Sequence, residues 1–226
     1  MIVAARNEAD RIGETLQSLA EAFPGARLFV ADDASRDGTS EIAISRGATV
    51  ISRRRPHGKG GNMTAAAEAA LSDPEAADAG DPVVLLCDGD LGSSAAALRG
   101  LVEAVERGNA DLAIASFARR EGGGFGIALG YAQRAIRELS GFEAAAPISG
   151  QRAMRASLLR RLLPFAPGWG METGMTIDAV RAGRRVVEVE LPLAHRATGR
   201  TIGGFLHRAA QLRDFRRARR ARARFG

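Results

Sequence analysis

Lysine is almost missing from this chain: of its 32 Lys and Arg residues, only Lys59 is a lysine. A sequence that otherwise writes Arg keeps one compact ammonium, which marks Lys59 for chemistry that a planar guanidinium does not serve. Cysteine is equally scarce. The single Cys87 excludes an intramolecular disulfide and fits a reducing compartment. No apolar run approaches the ~18–20 residues that cross a bilayer, and no signal peptide precedes the first predicted strand. A cytoplasmic location is therefore expected, extended at most to peripheral contact at the inner face of the membrane. Internal repeats and linkers are absent as well. A chain of 226 residues with 46% hydrophobic content suffices for one substantial core.

The net charge of +6 is not a property of the whole molecule. Residues 201–226 hold eight Arg and one Asp, a balance of +7, which leaves residues 1–200 at −1. That distribution excludes a nucleic-acid-binding body and predicts two parts, a domain over 1–200 and a basic C-terminal helix or tail over 201–226. Ile202, Phe205, Leu206, Leu212 and Phe215 punctuate the arginines, a composition suited to an anionic lipid surface. The competing reading is a packing helix followed by a solvated Arg run.

Short apolar strands alternate with helical patterns along the rest of the chain. Strands are expected at Met1–Ala5, Arg27–Ala31, Ala48–Ser52, Val83–Cys87 and Asp111–Phe117. Helices are expected from about Glu8 to Ala22, up to Arg46, from Gly58 to Leu71 and from Ser93 to about Arg107. Further along, the pattern suggests a helix over 127–139, a strand over 144–148, a short helix over 156–163, a helix over 172–182 and an edge strand over 185–191. This alternation predicts an α/β fold, a single domain with a mostly parallel sheet flanked by helices.

Three of these strands end in polar groups: Asn7-Glu8 after the first, Asp32-Asp33 after the second, and Asp88-Gly89-Asp90 after the fourth. In a parallel sheet all three ends open on one side, where α/β proteins bind ligands. Carboxylates gathered there repel one another unless a cation intervenes. Asp88 and Asp90 are hard oxygen ligands suited to Mg²⁺ or Mn²⁺ bound with a substrate's phosphates, and Gly89 lets a ligand approach the backbone. Gly58-Lys59-Gly60 sets an ammonium at a helix N-terminus, a natural partner for phosphate oxygens.

The first half of the chain resembles the GT-A fold (Rossmann-like) glycosyltransferases, most closely family 2. The resemblance rests on Val3-Ala4-Ala5-Arg6-Asn7-Glu8, the run from Ala31 to Thr39, Gly58-Lys59-Gly60 and Asp88-Gly89-Asp90, in family order and spacing. It implies a metal-dependent transfer of a sugar from a nucleotide-diphosphate sugar. It also implies Glu8 and Asp33 at the nucleoside, Lys59 near phosphate, Asp88 near the ribose or the metal, and Asp90 as a direct metal ligand. Two other readings compete, a sugar nucleotidyltransferase and a non-catalytic nucleotide-sugar-binding protein with a basic arm. The first usually carries a Gly-rich signature after its first strand, which Arg6-Asn7-Glu8-Ala9-Asp10 does not resemble.

The second half narrows the resemblance to polyprenyl-phosphate sugar synthases and glucosyl-3-phosphoglycerate synthases. It rests there on Pro147 to Ala153, on Gly168-Trp169-Gly170-Met171-Glu172 and on His195-Arg196. The likeness implies His195 as a further metal ligand and a phosphorylated acceptor. Glu172 would position an acceptor hydroxyl or act as a base. Ser149-Gly150-Gln151 stands where Ala-Gly-Glu is usual in the second group, and Glu172-Thr173 replaces a Glu-Asp pair. Arg119-Arg120 and Gly122–Gly124 are expected to contribute to a lid over the donor. Sugar, base, acceptor, stereochemistry and oligomeric state stay open at the level of sequence.

Overall fold

The computed structural model describes residues 1–53, 55–74, 80–117, 127–168, 170–193, 213–214 and 216–223. Seven strands form one sheet in the order β3-β2-β1-β4-β6-β5-β7. They are β1 (Ile2–Ala5), β2 (Phe29–Asp32), β3 (Thr49–Ser52), β4 (Val83–Asp88), β5 (Leu112–Phe117), β6 (Arg152–Arg155) and β7 (Val186–Leu191). Only β6 runs antiparallel to its neighbours, β4 and β5; all other pairs are parallel. Helices α1 (Ile12–Ala22), α2 (Thr39–Ser45), α3 (Gly58–Leu71), α4 (Arg99–Glu106), α5 (Ile127–Ser140), α6 (Ala156–Leu162) and α7 (Gly170–Arg181) cover the two faces. The α/β architecture thus agrees with the expectation from strand-helix alternation.

The core has one cluster on each face. Leu85 and Cys87 of β4 join Ile12, Leu16 and Leu19 of α1 and Leu101 and Val105 of α4. On the other face, Leu86 packs with Met63 of α3, Leu159 of α6 and Met171 and Met175 of α7. Alternation along the strand therefore turns Asp88, two after Leu86, toward the α3 and α7 face. The register sets Asp88 beside Ala4 and Asp32 beside Ala5, so the two acidic strand ends flank the start of the Arg6–Glu8 loop. From Gly170 to Ile177, α7 is buried on every side, so its first turn lies inside the protein.

Three expectations differ from the structure. Residues 144–148 are not a strand, because the Ala145 and Ala146 N–H groups donate to the Glu188 carboxylate (2.9 and 2.7 Å) rather than to a neighbouring strand. The strand comes later, at Arg152–Arg155, where polar side chains hid it. Helix α1 begins at Ile12 rather than near Glu8, since Asn7 has a left-handed φ of 55° and the next residues turn. The expected helix from Ser93 is a 3₁₀ helix over Gly92–Leu98 that leads into α4.

Candidate functional site

The loops after β1 and β2 are stitched into one platform. Asn7 N–H donates to Ser35 Oγ (2.9 Å), Arg36 N–H to Asn7 Oδ1 (3.0 Å), Glu8 N–H to Thr39 Oγ1 (2.9 Å) and Ala9 N–H to Asp37 Oδ2 (3.1 Å). The Thr39 hydroxyl, first among these donors, holds the Asp37 carboxyl below its ordinary range. Asp32 accepts from Ser40 Oγ (2.7 Å), Ser52 Oγ (3.3 Å) and both polar groups of Ser35, so its work is to tie the platform together. Ala34, between them, sits at a φ of 59°, a left-handed conformation that costs a non-glycine residue about 1 kcal/mol or more. Asp33, next to it, is buried. Its Oδ1 accepts from the His57 backbone N–H (2.8 Å) and its Oδ2 lies 3.4 Å from Arg6 Nη1. Asp33 therefore links the platform to the turn that opens α3.

Helix α3 delivers Lys59 to the end of β4. Its Nζ lies 2.5 Å from Asp88 Oδ1 and 2.9 Å from Glu172 Oε1, with side-chain exposures of 14% for Lys59, 31% for Asp88 and 2% for Glu172. Burial alone lowers an ammonium's pKa, but the two carboxylates outweigh it and hold Lys59 above its ordinary value. The close approach depends on glycine. A Cβ on Gly60 would collide with the Ala166 carbonyl, and one on Gly150 would lie 2.6 Å from Lys59 Nζ and 2.7 Å from Asp88 Oδ2. Lys59 and Glu172, unrelated in sequence, are thus brought together because the first turn of α3 meets the residues just before α7, at Gly60 and Gly168.

The Asp88-Gly89-Asp90 segment is not extended throughout. The strand stops at Asp88, and Gly89 and Asp90 lie in a turn. Gly89 N–H donates to the Ala4 carbonyl (2.8 Å), and a Cβ there would come 2.9 Å from Ile12 Cδ1. Thr15, which the sequence did not bring forward, fixes this turn. Fully buried, its hydroxyl donates to the Gly89 carbonyl (2.8 Å) and accepts from Gly92 N–H (2.9 Å). Its only sequence signal is a place on the buried face of α1. Cys87 is buried on the opposite face of β4, and burial pushes its thiol up to about 12, which makes it inert.

Arg152 is the other residue that sequence reasoning passed over. It is fully buried; Nε donates to the Ser149 carbonyl (2.9 Å) and Nη1 to Thr176 Oγ1 (3.0 Å). Burial pushes its guanidinium down to about 10, against the raising effect of Glu172 and Glu188. Below α7, the helical residues 216–223 dock inward: Arg222 Nε reaches Asp178 Oδ1 (2.7 Å), Arg219 Nη2 reaches Glu138 Oε2 (2.6 Å), and Ala218 packs against Gly170.

Among the described residues no group of three or more His, Cys, Asp or Glu forms a complete metal cage. The donor set nonetheless suits a divalent cation that takes one or two carboxylates and completes its shell from substrate phosphates. Asp90 is half-buried in the turn that follows β4. Asp88 already accepts from Lys59 and from Gln151 Nε2 (2.8 Å). His195, the Arg119-Arg120 pair, the Gly122–Gly124 loop and most of 201–226 lie outside the described residues.

The sequence model of a family described as glycosyl transferase family 2 matches residues 1–163. The chain is 31% identical over 214 residues to undecaprenyl-phosphate mannosyltransferase of Micrococcus luteus, covering 88% of this chain and 84% of that protein. It is 30% identical over 205 residues to glucosyl-3-phosphoglycerate synthase of Mycolicibacterium paratuberculosis, covering 79% of this chain and 58% of that protein. Among solved structures, Mycobacterium tuberculosis glucosyl-3-phosphoglycerate synthase in complex with Mn²⁺, UDP-glucose and glycerol 3-phosphate superposes with a TM-score of 0.74 at 26% identity. Its complex with Mn²⁺, UDP and phosphoglyceric acid gives 0.77 at 27% identity. The two superpositions cover 98% of this chain and 78% or 76% of that one, respectively.

Proposed function

The chain belongs to glycosyl transferase family 2, and from that premise we propose that it moves a sugar from a nucleotide-diphosphate sugar to a phosphorylated acceptor, with Mg²⁺ or Mn²⁺. Membership sets aside the nucleotidyltransferase and non-catalytic readings. The observation that carries the acceptor class is the state of Glu172. This carboxylate is 2% exposed and committed to the Lys59 ammonium at 2.9 Å. A carboxylate enclosed this way, against an ammonium, is not placed to take a proton from an acceptor alcohol. A phosphate oxygen is already anionic at neutral pH and needs none. The acceptor thus brings its own nucleophile, as the substrate named for the undecaprenyl-phosphate relative would. The hydroxyl of a phosphoglycerate-like acid is the second reading, favoured by the named ligands of the structural neighbours.

In this reading the platform of Glu8 and Asp33 receives the nucleoside, and Asp90, with Asp88 and His195, would hold the cation. The cation would supply charge neutralisation to the departing diphosphate. The sugar's C1–O bond to the diphosphate breaks as an acceptor oxygen bonds to C1, through an oxocarbenium-like state. Lys59 keeps the Asp88 and Glu172 carboxylates from repelling that charge. Glu172 orients the acceptor side through the first turn of α7.

Arg213, Arg216, Arg217 and Arg220 are exposed, whereas Arg219 and Arg222 pair with Glu138 and Asp178. This outward stripe supports peripheral contact of 201–226 with an anionic membrane, and no helix among the described residues is long and apolar enough to cross one. Incubation with Mn²⁺ or Mg²⁺, a panel of nucleotide sugars, and either polyprenyl phosphate or 3-phosphoglycerate tests the reaction. Product from one acceptor is expected, lost with Asp90→Ala. If no nucleotide sugar protects the protein from unfolding with metal present, the donor assignment fails. Pelleting with anionic liposomes, with and without residues 216–226, tests the membrane contact, and equal pelleting would remove it.

A further inference from the structure

A closed ring of polar contacts surrounds the end of β4. Ser149 Oγ donates to Gln151 Oε1 (3.0 Å) and Gln151 Nε2 to Asp88 Oδ2 (2.8 Å). Lys59 joins Asp88 to Glu172. Thr176 Oγ1 donates to the Glu172 carbonyl (3.0 Å) and accepts from Arg152 Nη1 (3.0 Å), and Arg152 Nε returns to the Ser149 carbonyl (2.9 Å). The segment Ser149–Arg152 is therefore fixed at both ends, to β4 through Gln151 and to α7 through Arg152.

We propose that Gln151 is a positioning residue that sets the plane of the Asp88 carboxylate for the donor. This rests on the donor assignment above. Lys59 alone reaches only one of the two oxygens and leaves the carboxylate free to rotate about it. A second donor on the other oxygen, from a different element, removes that freedom. The amide orientation follows from chemistry: an ionised carboxylate only accepts, so the nitrogen of Gln151 faces Asp88 and its oxygen receives the Ser149 hydroxyl. Gln151 is 2% exposed, with both ends of its amide partnered, so it does not wait for solvent. Gly150 lets the segment come down onto the ion pair, since a Cβ there would strike both Lys59 Nζ and Asp88 Oδ2. With both oxygens held from behind, the remaining lone pairs of Asp88 (31% exposed) face the crevice in one arrangement.

Gln151→Leu keeps the length and removes the donor. A hydrogen bond to a charged group is worth about a tenfold change in an equilibrium constant. Donor KM is therefore expected to rise about tenfold while acceptor KM and kcat stay within about threefold. A role confined to packing would lower the melting temperature and the active fraction without moving donor KM. The donor midpoint is read independently from thermal protection by UDP-glucose or GDP-mannose with Mn²⁺. If the wild type is protected and folded Gln151→Leu is protected with the same midpoint and donor KM, the inference is overturned. If neither nucleotide sugar protects the wild type, the donor assignment is what fails, and the positioning role falls with it. The contact itself is checked without ligand: Gln151→Glu sets a carboxylate against Asp88 and lowers the melting temperature, and adding Asp88→Asn restores a donor-acceptor pair. A double variant that melts no higher than Gln151→Glu alone would also overturn the inference.

Discussion

Replacing Lys59 with Met should expose how much the site depends on one ammonium. The change leaves Glu172, 2% exposed, and Asp88, 31% exposed, facing each other with no cation between them. Removing one partner of a buried pair costs about 3–5 kcal/mol, and the partial solvation of Asp88 points to the lower part of that range, about 3–4 kcal/mol. In a chain of this size each kcal/mol moves the melting temperature by roughly 2–4 °C, so a fall of about 6–16 °C is expected by calorimetry. The pH dependence has a definite sign. The folded-state pKa of Lys59 is raised, so its contribution is fully present below the free lysine value of about 10.4 and is lost only as pH climbs toward the folded value. The gap between wild type and variant should therefore stay level between about pH 8 and 10. Lys59→Arg should not rescue, because the Gly150 backbone lies against the ammonium and leaves no room for a guanidinium. A Met variant melting within about 2 °C of wild type, or an Arg variant with full stability and turnover, would refute the reasoning.

Thr15→Val strands the Gly89 carbonyl and the Gly92 N–H inside the protein, a loss of about 2 kcal/mol, and Gly92 should exchange its amide hydrogen faster in the folded state. Unchanged protection at Gly92 would show that the turn holds without Thr15. Arg222→Ala removes the pairing to Asp178 and the contact over Gly174, so trypsin should cut at Arg216, Arg217 or Arg220 sooner than in wild type. Equal cleavage rates would mean that the C-terminal helix is anchored elsewhere.

What was legible in the sequence was what neighbouring residues encode. The apolar run of β4, the carboxylates that close it and the glycines that open α3 are local signals, and each stands where it was expected. Composition alone singled out Lys59, but nothing local said what it would meet. It lies between Asp88 and Glu172, because parity along β4 and the Gly60–Gly168 crossing set those three side chains on one face.

The antiparallel β6 escaped notice for a related reason. Arg152 is polar in sequence and wholly buried in the fold, satisfied in part by Thr176 on α7. The apolar stretch at 144–148, by contrast, gave its N–H groups to Glu188 on β7. The sequence by itself determined the parallel strands, their polar ends and the donor chemistry these ends imply. Tertiary structure decided which acid faces which base, since ion pairs and hydrogen bonds are set by sheet register and helix crossing, neither of which is written in any one segment.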